Sequence, residues 1–201
     1  MTLFGAWLVQ LIIGAQLAMG NMTVYFVSFY RMTLNNHDVH AGTFYPMQPI
    51  IVVIATLIYP LGDKMIDWFG KESRPVIAIG SSVALTSVFI CSFAQEINLG
   101  PYSFMFLYCL GMGIFKGMLQ SALLRAGWSH LPERKGLVSG CIISGFGFGG
   151  FFFGKLAAYV ANPGGKYHFL LDEEDGQNYL PKEVGDKFPG LLRTFCLTWL
   201  I

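Results

Sequence analysis

The feature that most constrains this chain is a series of five long apolar runs, at residues 3–29, 44–61, 76–93, 102–124 and 137–160, with most of the charge falling between them. About 20 helical residues cross a hydrocarbon core of about 30 Å, so each run is predicted to be a membrane-spanning helix. A sixth run opens at about Leu191, after the breaker Phe188-Pro189-Gly190, and stops at Ile201, too short to span. The chain is therefore expected to be truncated within that run. The first run does not read as a secretory signal: nothing positive precedes it, it is too long for an h-region, and no small-residue cleavage site follows it. Asn21-Met22-Thr23 fits a glycosylation sequon, but inside a membrane helix no glycosylating enzyme reaches it.

Composition excludes the soluble alternative. Apolar residues make up 54% of the chain and charged residues only 12%, with Phe the commonest aromatic. A soluble domain needs about a quarter of its residues charged to cover its surface. The net charge of +1 gives no general attraction to nucleic acid. Cys91, Cys109, Cys141 and Cys196 all fall in apolar runs without CxxC spacing. They read as small buried hydrophobes, with neither a disulfide framework nor a zinc site.

The charges between the runs set an orientation. Lys64, Lys71 and Arg74 follow the second run, and Arg125, Arg134 and Lys135 follow the fourth; the other short connections hold Arg31 alone. The positive-inside rule then predicts a cytoplasmic N-terminus. The connection at 161–189 is expected outside, as a solvated acidic loop in which Asp172, Glu173, Glu174, Asp175, Glu183 and Asp186 outnumber the lysines. It lacks the alternating ligand spacing of an EF-hand.

Lys116 is the deepest charge, a few residues to the cytoplasmic side of the midpoint of the fourth run. An unpaired charge there would cost about 2.5 kcal/mol or more if it faced lipid. At 100° per residue, Gly113, Lys116, Gly117, Gln120 and Ser121 share one side of the helix, so Lys116 is expected to face protein or water. One reading is a cation that lines a polar pathway and attracts an anionic substrate. The other is an ammonium paired with a carboxylate or carbonyl, or one that snorkels away; Lys155, nearer the external end, snorkels more easily. In the first run, Gln10, Gly14, Asn21, Tyr25 and Ser28 form a weaker polar stripe that lines the same cavity or serves as interhelical glue. Arg31 reads as an interfacial anchor.

In the fifth run, Gly136, Gly140, Gly145, Gly147, Gly149, Gly150 and Gly154 give several GxxxG spacings, which permit close approach of another helix backbone. Gly145, Gly149, Gly150 and Gly154 are the expected packing positions. The overlapping GxGxxG follows no strand and precedes no suitably spaced acidic residue, so no dinucleotide cofactor is implied. His37, Asp38 and His40 fall short of a closed metal site. No nucleophile or carboxylate dyad suggests an enzyme.

Two stretches carry a family resemblance. Gly62-Asp63-Lys64-Met65-Ile66-Asp67-Trp68-Phe69-Gly70-Lys71 resembles the G-x-x-x-D-R-x-G-R-R loop of the major facilitator superfamily. Asp67, Gly70 and Lys71 match; Trp68 replaces the Arg, Gly62 is one place early, and Glu72 stands at the second basic position. In that family the loop is thought to latch the cytoplasmic side, which gives Asp67, Gly70 and Lys71 an expected gating role. The passage from Arg125 to Gly140, with Trp128, Pro132, Gly136, Leu137 and Gly140 in register and Lys135 at the Arg position, is similar to W-F-P-x-x-R-G-L-x-x-G of the oxalate:formate antiporter and monocarboxylate-porter branch, with Ser129-His130-Leu131 in place of one Phe. Residues 144–149 and Asn162-Pro163 resemble that branch's fifth helix and its exit.

The resemblance implies an all-α integral membrane fold: the N-terminal six-helix bundle of a major facilitator transporter, with the sixth helix truncated. It implies a secondary transporter of small organic anions, monocarboxylates or dicarboxylates, working by alternating access between two bundles. Asn21, Tyr25, Lys116 and Gln120 are the substrate-binding candidates, although the family's carboxylate-binding cations are expected in the second bundle. The expected partners are the bilayer, the anion, and a missing C-terminal half or a second copy, with no cofactor, metal or nucleic acid. The alternative is a non-transporting truncated paralogue, or a fragment from an incorrect gene prediction, with a membrane interaction role.

Overall fold

The computed structural model describes residues 2–171 and 178–200. Five helices are long and apolar enough to cross a membrane. The first, α1, is a continuous helical run over Leu3–Thr33. α2 covers Met47–Trp68 after a short turn at Ala41–Phe44, α3 covers Arg74–Cys91, and α4 covers Pro101–His130. α5 covers Lys135–Ala161, and α6 is a shorter helix over Phe188–Trp199. At about 1.5 Å per residue, α6 reaches only about 18 Å, short of a hydrocarbon core. In the connection before α6, Leu170 and Leu171 pair antiparallel with Tyr179 and Asn178, a two-residue ladder that departs from an all-α expectation. Asp172, Glu173, Glu174 and Asp175 lie outside the described residues; Glu183 and Asp186 are exposed.

Hydropathy marks where lipid stops rather than where a helix stops. The second run reads as ending at residue 61 and the fourth at residue 124, but α2 continues to Trp68 and α4 to His130. Lys64 and Met65 are good helix formers and carry α2 past the apolar stretch. α2 then closes on a Schellman turn: Lys71 N–H donates to Ile66 O at 2.9 Å and Gly70 N–H to Asp67 O at 3.2 Å. Gly70 takes φ 68°, the left-handed conformation that this cap requires.

α4 is the centre of the bundle, packed by α1, α2, α3 and α5. Its apolar window is 56% buried, against 22% for the helical run that contains α2. Lipid gives no hydrophobic drive between helices, so contact depends on small residues that let backbones approach. Gly117 of α4 is one such residue, where an added Cβ would lie 2.6 Å from Ala55 O of α2.

α1 and α5 form a second close pair. A Cβ on Gly149 would lie 2.8 Å from Gly14 Cα, and one on Gly145 would lie 2.5 Å from Trp7 O. A Cβ on Gly150 would meet Leu17 at 2.8 Å, whereas Gly154 has only Asn21 and Ala18 at ordinary contact distance and would accept a Cβ. Where α1 touches α5 most closely, its backbone tightens from α to 3₁₀ over Gly14–Ala18, and it loosens to a π turn over Phe29–Thr33.

Candidate functional site

Because α4 runs on to His130, Lys116 stands at the middle of the helix rather than toward one end. Its side chain is half-buried, and Nζ lies 5.2 Å from the centroid of the Phe146 ring on α5. Among the described residues, ion pairs join Arg125 to Asp63 and Asp67, and Arg193 to Glu96. None involves Lys116. A cation–π contact contributes about 0.5–2 kcal/mol, less than the about 2.5–3.5 kcal/mol charged to a cation at mid-bilayer. The Phe146 ring therefore offsets only part of such a cost.

One turn further along α4, Gln120 is fixed by α1: Gln10 Nε2 donates to Gln120 Oε1 at 3.1 Å. Gln10 is only 2% exposed, and its own Oε1 is buried without a donor. The side of α4 read from the helical wheel as one polar face is divided in space. Gly113 and Gly117 are occupied by α2, Lys116 lies against α5, and Gln120 reaches α1. Ser121 is buried, with its Oγ unpartnered.

Lys116 and Gln120 lie one turn apart on α4, and Gln120 is hydrogen-bonded to Gln10. Asn21 and Tyr25 do not join them. Asn21 is exposed beside Gly154 of α5, and Gln10 and Asn21 are separated by roughly 16 Å along α1 at the standard rise. Tyr25 lies a further turn away, half-buried against Ala161, Leu180 and Val184. Asn21 and Tyr25 are therefore set apart from the Gln10–Gln120 pair along α1. Lys155 is exposed, with Nζ 5.9 Å from the Phe151 ring centroid.

At one end of the bundle, Arg125 of α4 bridges two carboxylates of α2, Asp63 Oδ1 at 3.3 Å and Asp67 Oδ1 at 3.1 Å. A hollow of about 630 Å³ beside it is lined by Asp67, Lys71, Arg74, Arg125 and His130, among others. Lys71 is exposed and, like Gly70, has a positive φ. Arg125 is the residue that sequence reasoning passed over as one loop cation among several; only the pairing of α2 with α4 reveals it as the partner of Asp67.

The opposite end is closed by aromatic rings. Phe26 of α1 packs against Phe44, Phe104 and Phe188 at centroid distances of 5.5, 5.5 and 4.9 Å. Tyr30 OH donates to Leu99 O at 3.0 Å. Arg31, read from sequence as an interfacial anchor, is only 2% exposed: Nη1 donates to His37 O at 2.6 Å and its guanidinium lies 4.6 Å from the Tyr179 ring centroid. It points into the protein, toward His37 and Tyr179. His40 lies 3.5 Å from Tyr179 OH, and no group of three metal-ligating side chains occurs among the described residues. Cys91, Cys109 and Cys196 are buried, but Cys141 is exposed, contrary to the reading of all four as buried, because it falls on the outward face of α5.

No family model and no solved structure matches this chain. Over 112 residues it is 32% identical to the apicoplast pyruvate carrier 1 of Toxoplasma gondii. The aligned stretch is 54% of this chain and 19% of that protein, so the chain spans about a fifth of the length of the curated relative it matches. The comparisons and the five apolar helices agree on a multi-pass membrane protein similar in part to a carrier of a small monocarboxylate.

Proposed function

We propose that this chain forms one wall of a secondary carrier for small monocarboxylates, with Lys116 as the cation that attracts the carboxylate. The observation that carries this reading is the seat of Lys116, an ammonium at the middle of the central helix, held by an aromatic face and by no ion pair among the described residues. Similarity to a pyruvate carrier supports a monocarboxylate as the anion. Gln120 adds an amide donor beside the ammonium, while Asn21 and Tyr25 lie further along the same path and meet the substrate before or after it leaves Lys116.

The mechanism in this reading is the alternating access of the major facilitator superfamily, in which this bundle rocks against a second one. The second wall comes from the rest of a longer protein or from another copy. Asp67, held by Arg125, latches the end that also carries Lys64, Lys71, Arg74, Arg134 and Lys135, and that end faces the cytoplasm.

The test is uptake of labelled pyruvate into liposomes holding the chain densely enough for two copies to meet, with melting measured in parallel. A hydrogen bond to a charged group is worth about 1.5–3 kcal/mol, so Lys116→Gln is expected to cut the initial rate at least about tenfold while melting stays unchanged. Normal uptake by well-folded Lys116→Gln removes the anion site, and no uptake by the parent removes the paired-copy carrier.

A further inference from the structure

We infer that Gln10 is a positioning residue for the carboxylate site: its hydrogen bond fixes the Gln120 side-chain amide so that the Gln120 N–H donors, together with the Lys116 ammonium, face the anion. This inference rests on the reading of Lys116 as the anion's cation. Three observations carry it. Gln10 donates to Gln120 Oε1 across the α1–α4 contact. Gln120 Oε1 is thereby turned toward α1, which turns its Nε2 donors away from Gln10. Lys116 and Gln120 lie four positions apart on one helix and so share a face, and both are half-buried rather than sealed.

An ammonium beside a freely rotating amide draws the amide oxygen toward itself, and that oxygen would then repel a carboxylate. Gln10 opposes this by holding the oxygen toward α1. It does so at a cost, because its own Oε1 remains buried and unpartnered, and such a group destabilises a fold. A residue retained only for stability has no use for that arrangement, since a shape-matched apolar side chain avoids it. The ligand class that fits is a small carboxylate, whose two oxygens meet an ammonium and an amide N–H one helical turn apart.

The experiment measures pyruvate binding to the 201-residue chain in nanodiscs by calorimetry, with methyl pyruvate as the uncharged control and melting followed in parallel. Gln10→Met, Gln120→Met, the double variant and Lys116→Gln are compared. Gln10→Met is expected to weaken pyruvate binding severalfold with melting unchanged or raised, and to have no further effect in the Gln120→Met background. A melting loss that accompanies weaker binding, an unchanged Kd, or additive effects in the double variant overturns the positioning role while leaving Lys116 in place. Equal binding by parent and Lys116→Gln, or no binding of pyruvate by the parent, overturns the reading of Lys116 and this inference with it.

Discussion

Gly70 and Arg125 stand at the same end of the molecule and carry different kinds of constraint. Gly70 closes α2 with φ 68°; a side chain there is strained in the left-handed region, so Gly70→Ala is expected to destabilise the bundle by about 1 kcal/mol, measured by melting in nanodiscs. Arg125 is different. Its side chain is 41% exposed and Asp67 is 59% exposed, and ion pairs this open contribute roughly 0–1 kcal/mol. Arg125→Gln should therefore leave melting almost unchanged, and a large loss would mean that the pair is buried by something absent from this chain. Asp67, Gly70 and Lys71 are visible in sequence through a loop signature. The cap geometry of Gly70 and the Arg125 partner of Asp67 are not visible there, because both depend on where α2 ends and which helix lies beside it.

Between elements, α1 and α5 show how small residues become contacts. Gly149→Leu puts a branched side chain where the α1 backbone already lies and is expected to cost about 1–3 kcal/mol or more by overpacking. A Cβ added at Gly147 would meet nothing within 4 Å, so Gly147→Leu is expected to be nearly neutral. Equal melting of the two variants would remove the close-packed seam. The five spans are legible because apolar length is a direct demand of lipid. Helix ends are less legible, since Asp63 to Asp67 and Arg125 to His130 are polar yet still helical. A GxxxG pattern states that some backbone comes close, but not which one; α1 as the partner of α5 emerges only from the packed bundle. Likewise, a helical wheel places Gly113, Lys116 and Gln120 on one side of α4, but three different neighbours divide that side.

For the whole molecule, one end carries the Arg125 bridge, the other carries the Phe26 aromatic cluster, and Lys116 lies between them. Orientation is open to labelling with an impermeant thiol reagent on intact cells, in a version free of the native cysteines. The positive-inside expectation is that Lys166→Cys reacts from outside and Ser73→Cys does not; the reverse pattern inverts the bundle. The central claim is that the positive charge at position 116 holds a monocarboxylate, and chemical rescue tests it most directly. In the same cysteine-free background, Lys116→Cys is expected to lose pyruvate binding. Attachment of an aminoethyl group to that sulfur should restore it, and attachment of a neutral methyl group should not. Binding that survives the loss of the ammonium, or that returns equally with the neutral group, would contradict the account.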